Sequence, residues 1–204
     1  MNNRFWTFRY SLINITYYAG FCTMHAYAAV YLLSHGFSNT EVGLLLALAN
    51  ILSAILQPFI AGIIDKPGPL TNRRYILISV AIIALCSLLL MILPSSKPIV
   101  FALYALLYTV QFVYQPVVTA LNFEYEKAGC SIYYGLARGL GSAGFAVTSA
   151  FIGGIVERDG ADVLLIANLV IMALSAIAAF TFIKPGGDIK ETAVSEEKGL
   201  VAHN

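Results

Sequence analysis

Apolar residues run along this chain in six long stretches, approximately Tyr10–Leu33, Val42–Ile64, Tyr75–Leu93, Ile99–Leu121, Ile132–Val156 and Val163–Ile183. A helix needs about 20 residues to cross a hydrocarbon layer, so each stretch predicts one transmembrane span. The connections carry turn signals: His35-Gly36, Lys66-Pro67-Gly68-Pro69, Pro94-Ser95-Ser96, Gly129 and Asp159-Gly160. Ser38 with Glu41 three residues on has the spacing of a capping box and is expected to open the second helix. After Ile183 the pattern stops. Pro185-Gly186-Gly187 ends the last helix, and Asp188–Asn204 is polar and charged. The expected organisation is an all-α six-helix transmembrane bundle over residues 1–184, then a linker or tail over 185–204.

Helical angle sorts the spans into two kinds. In the first, Tyr10, Asn14, Tyr18, Phe21 and His25 share one face. In the second, Asn50, Gln57 and Ala61 do, with Asp65 close by at the end. The fourth carries one stripe of Tyr104, Tyr108, Gln111, Gln115, Val118 and Asn122. In the fifth, Arg138, Ser142 and Phe145 stack at i, i+4, i+7, beside a band of Gly135, Gly139, Ser142 and Ala146. The third and sixth hold little polar content beyond Cys86, Ser87, Asn168 and Ser175. An unsatisfied polar group in hydrocarbon costs several kcal/mol. Helices 1, 2, 4 and 5 are therefore expected to face an interior or aqueous cavity, while 3 and 6 can face lipid. Interhelical hydrogen bonding without any ligand is the competing reading for each amide. Gly135-x-x-x-Gly139 would permit close approach of another helix.

Arg138 is the most informative residue. A guanidinium stays charged at ordinary pH, and placing it in hydrocarbon costs about 2.5–3.5 kcal/mol on insertion scales. Such a residue marks a functional site unless it snorkels to the headgroups, and only Tyr134–Ala137 and a few residues before them separate it from the polar loop. His25 has a side chain able to carry a proton near neutral pH; a membrane histidine that simply bonds a neighbour is the plainer alternative.

Composition agrees with the pattern. The chain is 59% hydrophobic and 11% charged, with mean hydropathy +0.78, against about 25% charged residues in soluble domains. A net charge of +1 gives no basic patch for nucleic acid. Cys22, Cys86 and Cys130 are far apart and read as small hydrophobes, with neither disulfide nor metal spacing. No nucleophile–base set, metal cluster or cofactor motif stands out, so neither an enzyme nor a bound cofactor is expected. The first apolar segment is long and lacks a small-residue cleavage site, so it is expected to remain as a span. Arg4, Arg9, Lys66, Arg73, Arg74, Lys127, Lys184, Lys190 and Lys198 fall on one side and only Lys97 and Arg158 on the other. By the positive-inside rule both ends are cytoplasmic.

Two outer and four inner helices resemble one half of a major facilitator superfamily transporter, which implies two inverted three-helix repeats. After the second helix, Gln57-Pro58, Ala61, Asp65-Lys66, Gly68 and Arg73-Arg74 look like that superfamily's loop 2–3 signature, with Ala61 at the first glycine and a longer loop. Glu126-Lys127 and then Tyr134-Gly135-x-Ala137-Arg138-x-x-Gly141-Ser142-x-Gly144-Phe145 resemble the oligosaccharide:proton symporter (lactose permease-like) branch. That resemblance implies that Arg138 binds sugar hydroxyls, that Phe145 stacks on a pyranose and that Ser142 is the small residue between them. Asn122 stands where the branch usually has a carboxylate. Gln115, Tyr18 and His25 complete the expected cavity, and Asp65, Lys66, Arg73 and Arg74 the expected gate. The function implied is proton-coupled uptake of a sugar or related small polar solute by alternating access across a bacterial cytoplasmic membrane. The partners implied are solute, proton, bilayer and a missing carboxy-terminal six-helix half, or a second copy. The alternatives are a drug or metabolite exporter of the superfamily, or a non-transporting scaffold or truncated half.

Overall fold

The computed structural model describes residues 3–66, 68–93 and 96–185. The apolar stretches fold as helix: α1 Asn3–Phe21, α2 Ala28–Ser34, α3 Asn39–Asp65, α4 Asn72–Ile92, α5 Lys97–Lys127, α6 Tyr134–Asp159 and α7 Val163–Thr181. The helices α3 to α7 are long and apolar enough to cross a membrane. The first predicted span differs from expectation, being α1, a π-helical turn over Cys22–Ala26, and α2 rather than one α-helix. Such a turn inserts a residue into the i→i+4 ladder and re-aims the helical turns beyond it. Here Tyr104, fully buried on α5, donates a 2.7 Å hydrogen bond to the Met24 carbonyl within the turn.

The helix ends follow local chemistry. The capping box at α3 is formed in both directions: the Ser38 N–H donates to Glu41 Oε2 (2.7 Å), and the Glu41 N–H to Ser38 Oγ (3.3 Å). Gly36, Gly129 and Gly160 take φ of +79°, +79° and +90°, left-handed backbone that disfavours a Cβ, at turns the sequence marks. The Pro185–Asn204 tail lies outside the described residues apart from Pro185 itself.

In the bundle α1 packs against α6 and α7, α5 against α3 and α4, and α4 against α7, with a lighter α1–α5 contact. Glycine sets the α1–α6 approach, at positions other than those the small-residue band suggested. A Cβ at Gly141 would stand 2.7 Å from Tyr18 Cδ2, and one at Gly144 3.1 Å from Ile15 Cγ2, whereas Gly135 and Gly139 meet nothing within 4 Å. Phenols tie the long helices together through main-chain acceptors. Tyr10 donates to the Val118 carbonyl (2.9 Å), Tyr17 to that of Gln111 (3.4 Å), and Tyr125 to that of Phe182. Pro116 lacks an N–H, so the Phe112 carbonyl loses its helical donor; the Gln57 amide of α3 reaches it at 3.4 Å.

The few polar residues of α4 and α7 point inward, so these helices do more than face lipid. Asn168 Nδ2 donates to Ser87 Oγ (2.9 Å), and the Thr23 hydroxyl lies 3.4 Å from Asn168 Oδ1. Gln111 comes close to this node, since a Cβ at Gly20 would stand 3.0 Å from its amide nitrogen and 3.5 Å from Asn168 Oδ1. The least covered helices are α3 and α6. Half of the most apolar part of α5 is buried, against 17% in α3 and 11% in α6. Both present long rows of uncovered side chains, including Leu44, Ile51, Ile55 and Phe59 on α3 and Leu136, Val147 and Phe151 on α6.

Candidate functional site

A side chain on a helix leans toward the helix N-terminus by default. For Arg138, on the first turns of α6, that lean leads toward the Gly129–Tyr133 connection, the direction snorkelling requires. The guanidinium goes the other way. Its Nη1 donates to Ser142 Oγ, one turn further along the helix, at 3.3 Å. Its Cζ lies 4.2 Å from the centre of the Tyr18 ring, within the range of a cation–π contact. The Tyr18 ring sits at the level of Gly141, whose missing Cβ makes room for it. Gln115 then reaches the Tyr18 hydroxyl with its amide nitrogen at 3.4 Å. Residues from α1, α5 and α6 thus converge on one ring, and Tyr18, Gln115 and Arg138 are all only partly buried.

An aromatic wall continues from this group. Phe21 stands 6.4 Å from Tyr18 and 6.5 Å from Phe145, centre to centre. His25 stacks on Phe21 at 4.3 Å and on Tyr108 at 3.7 Å, with Phe112 5.4 Å away. Neither imidazole nitrogen completes a hydrogen bond, although the Tyr108 backbone lies beside the ring. The π-helical turn holds His25, and such turns recur at functional positions. Phe112 is absent from the expected set; its i+4 spacing from Tyr108 is the signal that carries it.

The structure therefore brings together Arg138, Ser142, Tyr18 and Gln115, and joins Phe145 and His25 to them through Phe21. Asn122 stands apart. It is 1% exposed, one turn beyond the Val118 that accepts from Tyr10, and its Oδ1 has no hydrogen-bond partner. Gln111 is likewise fully buried with both amide atoms unpartnered. Of the expected gate residues, Arg73 is buried, and its guanidinium donates to the Ala179 (2.8 Å) and Phe180 (2.5 Å) carbonyls in the last turn of α7. Arg74 donates to the Pro69 carbonyl (2.6 Å). These bonds from Arg73 and Arg74 go to main chain rather than to Asp65. Asp65 and Lys66 are exposed at the end of α3.

The charges are distributed unevenly. The described acids, Glu41, Asp65, Glu124, Glu126, Glu157, Asp159 and Asp162, all stand at helix ends or in connections. Glu124 is held by Lys184 (2.6 Å) and Asn72 (2.8 Å). At the opposite end Lys97 pairs with Glu41 (3.0 Å), Arg158 with Asp159 (2.7 Å) and His35 with Asp162 (3.3 Å). The Ser38 backbone N–H and Lys97 together hold the Glu41 carboxyl down at about 2. The described residues form no ion pair with Arg138, and no group of His, Cys, Asp or Glu among them could hold a metal ion.

Long apolar helices with their polar side chains turned inward define an integral membrane protein. The model of the MFS_1 like family matches residues 7–202, and the chain belongs to this family of the major facilitator superfamily. No curated protein matches it. Membership fits a membrane transporter rather than an enzyme.

Proposed function

We propose that this chain is the amino-terminal half of a proton-coupled secondary transporter that takes up a sugar or related small polar solute by alternating access. In this reading its six spans form two inverted three-helix repeats in a bacterial cytoplasmic membrane, with both ends inside. The helix packing supports the repeat. Exchanging α1 with α5, α3 with α6 and α4 with α7 turns the α1–α6 contact into α5–α3, turns α1–α7 into α5–α4, and returns α4–α7 to itself. A second six-helix half, or a second copy, would cover the open faces of α3 and α6 and close the solute site. Proton-coupling groups would lie mainly in that other half. Asp65, Lys66, Arg73 and Arg74 would form the inner gate, where contacts exchange as the halves rock.

The observation that carries this reading is the Arg138 guanidinium, turned away from the helix end toward Ser142 and the Tyr18 ring on an uncovered face. The aromatic wall of Phe21, Phe112 and Phe145 favours a second reading, export of a flatter and more apolar solute. Transport by the chain in proteoliposomes, with and without a co-expressed partner half, tests both. Uptake driven by an inward proton gradient and seen only with the partner is expected. Accumulation by the chain alone would replace the partner half with a self-pairing dimer, and proton-driven extrusion of aromatic cations would favour the exporter.

A further inference from the structure

We propose that the solute held at this site is an anion, a small polar molecule bearing a carboxylate or phosphate, whose charge Arg138 neutralises. The inference rests on the transport reading and narrows its substrate. A guanidinium is charged at any physiological pH. Its contacts are the Ser142 hydroxyl and the face of the Tyr18 ring, groups that stabilise a guanidinium but bring no net charge to balance it. The side chains around them are also neutral: Gln115 on the Tyr18 hydroxyl, then Phe21, Phe145 and Phe112. No described acid substitutes for a partner. Glu124, in the last turn of α5, is already held by Lys184 and Asn72, and the others stand at helix ends. Asn122, on the stripe below Gln115, is an amide and is buried.

An intramembrane charge normally pairs with another charge or with backbone carbonyls. Arg73 shows what that looks like in this protein, with its guanidinium on the Ala179 and Phe180 carbonyls. Arg138 has no such arrangement. It is only partly buried, beside the exposed Ser142, and its planar fork of donors suits two oxygens of one acid group. A bound anion completes the pairing, and the Tyr18 and Gln115 polar atoms beside it are placed to orient the rest of the molecule.

The test compares glucose, glucuronate and glucose 6-phosphate by calorimetry on the purified protein, with its partner half where transport needs one, in phosphatidylcholine nanodiscs. The acidic probes should bind more tightly than glucose by roughly tenfold to a hundredfold, the value of hydrogen bonds to a charged partner. Arg138→Gln should erase that preference, and Arg138→Lys should keep the preference at weaker affinity. Gln115→Glu, which supplies a carboxylate beside the same Tyr18 ring, should weaken the acidic probes and spare glucose. Proteoliposome insertion of each variant serves as the folding control. Glucose binding as tightly as the acids, or acid binding that ignores Arg138→Gln, overturns the charge assignment while leaving the transport reading in place. Failure of all three probes to bind a protein that does transport some neutral solute overturns it as well. A protein that neither binds nor moves any solute sinks both.

Discussion

Arg73 and Arg138 are the same side chain put to opposite uses. Arg73 opens α4, is 8% exposed and gives its donors to the last-turn carbonyls of α7, with Phe180 against its face at 5.8 Å. The last carbonyls of a helix have no intrahelical donors and carry the negative end of the dipole. A guanidinium there is satisfied by the fold. Arg138 touches one hydroxyl and one ring and is only partly buried. The difference lies in what the neighbouring helix offers. A helix end supplies free acceptors, whereas the side of α1 has its carbonyls already bonded and presents only side chains. A charge at the first position stabilises structure, and a charge at the second waits for a partner.

The sharpest way to break this comparison is to remove each arginine in turn. Arg138→Ala should cost ligand affinity roughly tenfold to a hundredfold and leave thermal unfolding of the protein in nanodiscs unchanged. Arg73→Ala should instead take a charged donor from the last-turn carbonyls of α7 and lower stability by about 1–3 kcal/mol. Equal loss of stability in both variants would show that the two residues play the same part.

A smaller effect is expected at the seam beneath Arg138. Gly141→Ala places a methyl 2.7 Å from Tyr18 Cδ2 and close to Asn14, an overpacking that costs about 1–3 kcal/mol and displaces the ring on which Arg138 lies. Gly139→Ala meets open space and should leave stability unchanged or slightly raised. Thermal unfolding of the two variants side by side checks this. A tolerated alanine at 141 would mean that α1 and α6 do not meet there.

The smallest effect belongs to the charged end that is satisfied within the fold. Glu41 titrates near 2 in the folded protein because the Ser38 backbone N–H and Lys97 favour its carboxylate. Its folded value lies below its unfolded one, so its contribution is present above about pH 4.3 and is lost as pH falls toward 2. Because the pair is exposed and screened by salt, the change should be small. Glu41→Gln keeps the cap but not the charge. Its unfolding temperature should depend less on pH between 6 and 3 than that of the wild type.

Some of this was legible in the residues. Turn glycines at 36, 129 and 160 take the left-handed backbone their positions suggest, and Ser38 and Glu41 form the box their spacing predicts. The five spans from α3 onward follow from length and hydropathy. The stripes could not say which of their members was already engaged, and the packed side of α3 is Val42, Leu45, Ala49 and Ser53 rather than the Asn50 and Ala61 face. Gln115 meets Tyr18 on the open side, while Gln111, one turn away on the same helix, is sealed inside near Gly20 and Asn168. The Gly135 and Gly139 pair looked like the contact, and Gly141 with Gly144 proved to be it. The π-helical turn at Cys22–Ala26 has no periodic signature, because the signal is a single residue added to an otherwise regular pattern.

The sequence by itself determined that this chain is helical, crosses a membrane, carries one arginine within an apolar stretch and belongs with its family. These follow from local properties: hydropathy over a helix length, the angle between successive side chains, and the backbone freedom of glycine. Tertiary structure alone decided which polar groups are spent. A helical face can be computed from one segment, but a hydrogen-bond partner lies on another. Packing α6 against α1 set the Tyr18 ring against Arg138, whose hydroxyl partner Ser142 stands on its own helix, and packing α4 against α7 fastened Arg73 to main-chain carbonyls.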